Sequence, residues 1–306
     1  APMANVNDPT RRDLLTRSLA GGAAAIALSA GLARAQNTGP KLPKLEDVQP
    51  VARRGRINHS ACLWCYHGIK ADEFAPYAKR VGLSAIDLLT PKDFKVVKEH
   101  GLICSMTSGV WGGITRGFNR TEHHENIVKS LIELADATAE AGFPNVICFS
   151  GNRDGQSDED GLKICAEGIK KVIGHFEKKK VTLCMELLNS KVNHPDYQCD
   201  RTEWGVELCK AVGSERFRLL YDIYHMQIME GDIIATIRKY HEYFGHYHTG
   251  GVPGRHEIDE TQELYYPAIM KAIVETGFKG YVAQEFVPAR PDMIASLAQA
   301  VQICDV

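Results

Sequence analysis

The chain repeats one pattern eight times: a short apolar segment with strand-forming residues is followed by a longer segment with helical periodicity. The predicted strands are 57–61, 85–89, 103–107, 146–150, 182–186, 218–222, 245–248 and 281–285. The predicted helices are 71–81, 92–100, 125–141, 159–178, 202–212, 232–240, 266–276 and 291–303. Glycine follows five of these helices, where a left-handed residue commonly ends a helix. Eight βα units in one domain-sized chain predict an α/β fold, a single-domain (β/α)8 TIM barrel.

The N-terminal segment has the features of an export signal. Arg11 and Arg12 precede a weakly apolar stretch, and Ala33-Arg34-Ala35 is typical of a cleavage site. The alternative is an amphipathic or membrane helix, and three glycines in the stretch and its short length disfavour a permanent transmembrane span. We predict a periplasmic protein, exported by the twin-arginine pathway, with no membrane contact after the signal is removed. The predicted segments are a signal peptide at 1–35, an extended tail at 36–53 and the catalytic barrel at 54–306.

The charge of the chain argues against nucleic acid as a partner. Its formal net charge is −2, and the signal segment contains four Arg and two Asp, so the exported chain would carry −4. A protein that follows phosphate backbones needs a positively charged surface. We therefore predict a small-molecule ligand and leave open a homo-oligomer.

Nine cysteines suggest disulfides in an exported protein, but Cys104, Cys148 and Cys184 lie in apolar, strand-like segments, where a free cysteine packs as a small buried hydrophobic residue. Cys62 and Cys65 have the spacing of a redox motif. No thioredoxin-like pattern surrounds them, so this spacing indicates either coincidence or a local disulfide.

Four ionisable residues lie where the last four predicted strands end: Glu186, Asp222, His248 and Glu285. The carboxyl ends of barrel strands meet at one rim, where barrel enzymes keep their active sites. Buried charges need compensation, and a shared divalent cation is the simplest one. Oxygen ligands with one imidazole favour Mn²⁺, with Mg²⁺, Co²⁺ or Zn²⁺ as alternatives.

Two further residues are candidates for substrate contacts. His225 lies three residues after Asp222 and would contact a substrate oxygen or orient a metal ligand, unless it faces solvent at a helix start. Arg255 lies in a loop with glycines and a proline, and its guanidinium suits a carboxylate or a vicinal oxygen pair.

Several motifs together resemble the xylose isomerase-like barrel superfamily, and within it the hydroxypyruvate isomerases and ketose 3-epimerases. They are Glu186-Leu187-Leu188-Asn189, Asp222-Ile223-Tyr224-His225, Gly245-His246-Tyr247-His248, Pro253-Gly254-Arg255-His256-Glu257 and Ala283-Gln284-Glu285-Phe286. The resemblance implies that the four strand-end residues bind the metal and that Glu186 and Glu285 also move the proton. It implies substrate contacts for Asn189, His225, Arg255 and His256. His248 matches the epimerases, whereas hydroxypyruvate isomerases tend to have Gln at this position.

The sequence therefore predicts a metal-dependent isomerase, similar to hydroxypyruvate isomerase, acting on a keto-hydroxy acid or sugar through an enediolate. An epimerase of the same superfamily is the first alternative. An AP endonuclease is disfavoured because the second and third predicted strands contain no histidine. A non-catalytic periplasmic sugar-binding protein is the remaining alternative.

Overall fold

A computed structural model describes residues 42–306. The predicted signal peptide and the first residues of the predicted tail lie outside the described residues. Residues 42–53 contain one turn of 3-10 helix, Leu45–Asp47, and are otherwise irregular. The strands are β1 (Asn58–Ala61), β2 (Ala85–Ile86), β3 (Ile103–Cys104), β4 (Asn145–Cys148), β5 (Thr182–Glu186), β6 (Phe217–Asp222), β7 (Phe244–Thr249) and β8 (Tyr281–Gln284).

The strands form a closed parallel barrel. Six of them pair in the order β1-β8-β7-β6-β5-β4, and β2 pairs with β3. Two parallel bridges join these sheets: Cys62 with Asp87 links β1 to β2, and Thr107 with Val146 links the segment after β3 to β4. The fold is therefore the predicted α/β TIM barrel. β2 and β3 are shorter than predicted, and Leu88, with a φ of 56°, leaves the extended conformation just after β2.

Ten α-helices surround the barrel in the described part of the chain. They are α1 (Ala71–Arg80), α2 (Phe94–Glu99), α3 (His124–Ala141), α4 (Asp158–Lys170), α5 (Ile173–Lys179), α6 (Thr202–Val212), α7 (Ile223–Met229), α8 (Ile233–Tyr240), α9 (Tyr266–Glu275) and α10 (Met293–Cys304). The single helix predicted at 159–178 is two helices. The short helix α7 follows β6 without a loop and had not been predicted, because its apolar residues continue the apolar strand.

The core is apolar between the helices and the strands, and also inside the barrel. Met106, Ile147, Cys184 and Leu220 pack together as a small separate cluster of fully buried side chains. All nine cysteines are buried free thiols, including Cys62 and Cys65, so the structure contains no local disulfide there. Among residues 42–306, no helix has the length and apolar character that a membrane span requires.

Candidate active site

Four predicted site residues converge at the carboxyl end of the barrel. Glu186 and Asp222 are the last residues of β5 and β6, His248 lies in β7, and Glu285 directly follows β8. Each of the four offers a ligand atom within 4.8 Å of the others, and all four side chains are buried. Parallel strands place their final residues at the same rim, which explains how positions up to 99 residues apart come together.

Both ring nitrogens of His248 face carboxylates, Nε2 that of Asp87 and Nδ1 those of Glu285 and Glu186. Its Nε2 lies 2.8 Å from Asp87 Oδ2, and its Nδ1 lies 2.6 Å from Glu285 Oε2 and 3.4 Å from Glu186 Oε1. Nδ1 nevertheless has no partner in hydrogen-bond geometry. Burial alone would lower the pKa of His248, but Glu285 and Asp87 outweigh it and hold this pKa well above its ordinary value, so Nδ1 faces the carboxylates with either a proton or a bound cation between them. The side chains therefore fit a divalent metal ion.

The electrostatics of the three acids are unequal. Burial raises the pKa of Glu186, and the neighbouring Glu285 adds to this effect, although His248 opposes it. Burial also raises the pKa of Asp222, to about 8, against the charge of Arg255. Burial alone would raise the pKa of Glu285, but Arg255 and His248 outweigh it and hold this pKa well below its ordinary value. Glu285 is thus the ionised member, and Glu186 binds a proton more readily.

Arg255 lies inside the site and contacts two of the predicted ligands. Its Nη2 donates to Glu285 Oε2 at 2.6 Å and lies 3.3 Å from Asp222 Oδ2. The guanidinium also lies 5.3 Å from the ring of Trp64 and 5.1 Å from that of Tyr224. These aromatic contacts fix the plane of the guanidinium, so it is positioned to bind a second anionic or carbonyl group.

His225 and Asn189 form a pair. The backbone N–H of Asn189 donates to His225 Nδ1 at 3.1 Å, and the Asn189 side-chain nitrogen lies 2.7 Å from the same atom. Burial lowers the pKa of His225 well below its ordinary value, with Arg255 adding to this effect. The neutral ring therefore carries its proton on Nε2, which is buried and without a hydrogen-bond partner. His225 lines the cavity of the site, and Asn189 contacts His225.

His256 differs in position from the other predicted site residues. It is exposed, and its Nδ1 lies 2.9 Å from the carbonyl oxygen of Val287. The residues that line the cavity do not include it. The Pro-Gly-Arg-His-Glu segment thus directs Arg255 inward and the next side chain outward.

Two residues of the site were missed by sequence reasoning. Asp87, directly after β2, contacts His246 at 3.2 Å and His248 at 2.8 Å, and accepts a hydrogen bond from Ser105. Trp64 donates its indole N–H to Glu285 Oε1 at 2.8 Å. Asp87 is an acidic residue at a strand end, as the predicted ligands are, but the predicted strand extended past it to residue 89. Trp64 is neither ionisable nor at the end of a predicted strand, so the sequence pattern did not indicate it.

The site opens into a cavity of about 470 Å³, lined by Glu186, His225, Arg255 and Glu285 among others. A larger cavity, of about 660 Å³, lies between residues 43–52 and α10. The larger cavity is lined by none of the predicted site residues. The smaller one is therefore the candidate active site, because it combines a concave surface with the converging ionisable groups at the carboxyl ends of β5 to β8.

Comparison with known proteins agrees with this architecture. The family model for the xylose isomerase-like TIM barrel matches residues 61–302. The putative hydroxypyruvate isomerase of Mus musculus is 24% identical over 265 residues, which are 85% of this chain and 89% of that protein. The Homo sapiens protein of the same name is 26% identical over 162 residues, or 51% of this chain and 58% of that one.

A solved structure shows the same fold. It is described as an AP endonuclease, family 2, from Brucella melitensis, with a TM-score of 0.71 and 24% identity over 79% of this chain and 97% of that one. At this identity the likeness establishes the fold alone. Since the family match covers most of the barrel, the chain belongs to the xylose isomerase-like TIM barrel family.

Proposed function

We propose that this protein is a metal-dependent isomerase of a keto-hydroxy acid or sugar, similar to hydroxypyruvate isomerase. The observation that carries the proposal is the buried group of three carboxylates and one imidazole, whose ligand atoms lie within 4.8 Å of one another at the catalytic end of the barrel. The named isomerases among its relatives support the reaction class.

Glu186, Asp222, His248 and Glu285 would hold the ion, and their oxygen and nitrogen donors suit Mn²⁺, with Mg²⁺, Co²⁺ or Zn²⁺ as alternatives. When bound, such an ion supplies Lewis-acid stabilisation of negative charge on neighbouring substrate oxygens. The raised pKa of Glu186 and of Asp222 means that protons compete with a cation for this site.

Glu186 and Glu285 are the groups that move the proton. Both line the cavity, on β5 and next to β8. One carboxylate takes a proton from the hydroxyl-bearing carbon, whose C–H bond breaks, and the electron pair passes to the carbonyl to form an enediolate. Return of a proton to the former carbonyl carbon, together with transfer of the hydroxyl proton to the former carbonyl oxygen, completes isomerisation: the old hydroxyl becomes the new carbonyl and the old carbonyl becomes the new hydroxyl. Every heavy-atom bond of the substrate carbon chain is kept.

Arg255 and His225 orient the substrate. The guanidinium of Arg255 lines the cavity and can bind a carboxylate or carbonyl oxygen. The unpartnered Nε2–H of His225 is a donor for a substrate oxygen, and its Nδ1 is fixed by Asn189. Orientation by these two groups would hold the reacting carbon next to the carboxylates.

The first alternative is an epimerase of the same superfamily, in which the proton returns to the opposite face of the same carbon. Two carboxylates from different strands would serve epimerisation as well as isomerisation. The feature that favours an epimerase is His248, which matches the residue of the epimerases at this position. An AP endonuclease is disfavoured, since Asp87 and Ser105 stand at the ends of β2 and β3 where that activity would use histidines. A periplasmic binding protein would share the cavity but would transfer no proton.

The test is proton exchange at carbon in D₂O with Mn²⁺-loaded protein and hydroxypyruvate. We expect Glu186→Gln and Glu285→Gln each to reduce net conversion by at least about 100-fold, because each half of the transfer needs its own carboxylate. Solvent exchange should survive in at most one of them. NMR of the substrate C–H signal and metal analysis of each variant provide the measurements.

Glu242→Gln is the matched control, since Glu242 is exposed and remote from the cavity. It should behave as the unaltered protein does. Near-normal conversion by both metal-loaded active-site variants would refute the two-carboxylate mechanism. Absence of exchange with every keto-hydroxy compound would instead leave a binding protein as the better description.

We also propose that the protein is exported to the periplasm by the twin-arginine pathway. Arg11-Arg12 and the Ala33-Arg34-Ala35 sequence support this. Replacement of both arginines by lysine should retain the protein in the cytoplasm, as measured by cell fractionation. Unchanged export of that variant would contradict the proposal.

A further inference from the structure

The cavity of the candidate active site has two chemically different sides. Its ionisable groups, among them Glu186, His225, Arg255 and Glu285, come from the β5 to β8 part of the barrel. The other side is made by apolar side chains from β4 and from the segments that follow β2 to β4, namely Leu88, Val110, Ile114, Ile147 and Phe149. Leu188, just after β5, adds to the apolar lining.

The apolar side offers few hydrogen bonds to a ligand. Ser108 also lines the cavity, but its hydroxyl donates to the carbonyl of Leu88 at 2.8 Å. Trp64 lines it too, and its indole N–H is taken by Glu285. A chain of substrate hydroxyls lying here would lose its water without gaining partners, which weakens binding.

The size of the cavity points in the same direction. Its volume of about 470 Å³ lies in the range of about 300–1,000 Å³ that is typical of pockets for drug-sized ligands. A keto-hydroxy acid of three carbons held by Arg255 and the carboxylates would leave the apolar side in contact with water. An apolar surface gains most when an apolar group covers it.

We propose that the natural substrate carries an apolar substituent, alkyl or aryl, attached to its keto-hydroxy head. The inference rests on the proposed function for the reaction at that head. The head lies against Arg255 and the carboxylates, and the substituent covers Leu88, Ile114 and Phe149. The proton transfer stays the same, because the substituent takes no part in bond making or breaking.

Two probes of similar size separate an apolar from a polar substituent. Both are 2-keto-3-hydroxy acids; in one C3 carries a benzyl group, and in the other it carries a trihydroxypropyl chain. With the Mn²⁺-loaded full-length protein, the benzyl compound should bind at least about tenfold more tightly, as expected when an apolar group fills an apolar pocket. Titration calorimetry gives both Kd values, and NMR in D₂O gives exchange at C3 for the same samples.

Ile114→Asn tests the apolar side itself. Ile114 is only partly buried and lies in the connection between β3 and α3, so the barrel strands are unaffected. We expect the ratio of the two Kd values to fall at least about threefold, because one apolar contact is replaced by an amide. Leu45→Asn is the control, since Leu45 is exposed and lines neither cavity. It should leave the ratio as it is.

The outcomes separate this inference from the proposed function. Equal affinities, or tighter binding of the trihydroxypropyl compound, would overturn the inference even if both compounds exchange their C3 proton. Tighter binding of the benzyl compound with exchange at C3 supports both. Tighter binding of the benzyl compound without exchange of either probe supports an apolar ligand side and refutes the isomerase.

Discussion

Asp87 determines how the imidazole of His248 is presented to the other three side chains. Its carboxylate is fully buried and contacts His246, His248 and Ser105. Burial by itself would raise the pKa of Asp87, but the two histidines outweigh it and hold this pKa well below its ordinary value. An ionised Asp87 favours the proton on Nε2 of His248, so Nδ1 is free to bind a metal.

Asp87→Asn should therefore weaken Mn²⁺ binding by about 10–100-fold, the range found when the partner of a metal-binding histidine is removed. The amide keeps the shape but loses the charge that fixes the tautomer. Titration calorimetry with Mn²⁺ measures the effect, and the exposed Asp72→Asn is the control. An unchanged Mn²⁺ affinity with intact folding would show that Asp87 does not orient His248.

His225 should affect turnover rather than metal binding. Its free Nε2–H is 3.5 Å from Asp222 Oδ2 and lies on the cavity wall. His225→Ala should retain most of the metal and lower kcat/KM by about 10–100-fold, because an orienting donor is lost. His248→Ala, by contrast, should lose metal and activity together. Metal analysis beside steady-state kinetics distinguishes the two, and equal metal loss in both variants would place His225 among the ligands.

At the scale of elements, a strand or helix could be predicted where one hydrophobic pattern begins and ends within the element itself. β5 and α6 have the predicted bounds, because Thr182–Glu186 and Thr202–Val212 each have one clear pattern with clear ends. The division between α4 and α5 was missed, since the apolar positions continue across residues 171 and 172. The role of Asp87 depends on contacts with residues 159 and 161 positions away, which no local pattern encodes.

The connection between β3 and α3 contributes to the cavity wall and depends on a close approach to β4. Phe118 and Asn119 donate their backbone N–H groups to the carbonyls of Phe149 and Ser150, at 3.1 and 2.8 Å. Gly117 lies so close to the backbone of residues 149–151 that a β-carbon would clash with it. The segment thus holds Val110 and Ile114 over the site only because residue 117 has no side chain.

Gly117→Ala should lower the free energy of unfolding by about 1–3 kcal/mol, since the clash is with backbone that cannot rotate away. It should also reduce kcat/KM, because the wall of the cavity shifts. Gly174→Ala in α5 is the control, as a β-carbon there meets no atom within 4 Å. Chemical denaturation measures the free energy of unfolding of both variants. A Gly117→Ala variant as stable as the unaltered protein would mean that the connection adapts without strain.

At the scale of the whole molecule, the far end of the barrel joins the first strand to the last residues. His59 in β1 is buried, and its Nε2 lies 3.4 Å from Asp305 Oδ1. Asp305 also accepts a hydrogen bond from the backbone of Arg54, and Arg56 donates to the carbonyl of Val306 at 2.6 Å. This end contains none of the candidate catalytic residues, so its polar contacts serve stability, as is typical of that face of a barrel.

His59 should make the stability of the barrel depend on pH. Burial lowers its pKa to about 4, with Arg53 adding to this effect and Asp305 opposing it. Between this value and the ordinary value of about 6.5, the unfolded chain binds the proton more strongly, so stability falls as the pH falls through that window. The shift corresponds to a loss of at most about 3 kcal/mol.

Chemical denaturation of the metal-free protein between pH 7 and pH 4 measures this loss. In His59→Gln, the part of the pH dependence that belongs to this residue should disappear, so the unfolding free energies of variant and unaltered protein should converge towards pH 4. The exposed His100→Gln should keep the full dependence. If His59→Gln has the same slope with pH as the unaltered protein, the pKa of His59 is the same in the folded and the unfolded chain, and the pH dependence assigned to its burial would be wrong.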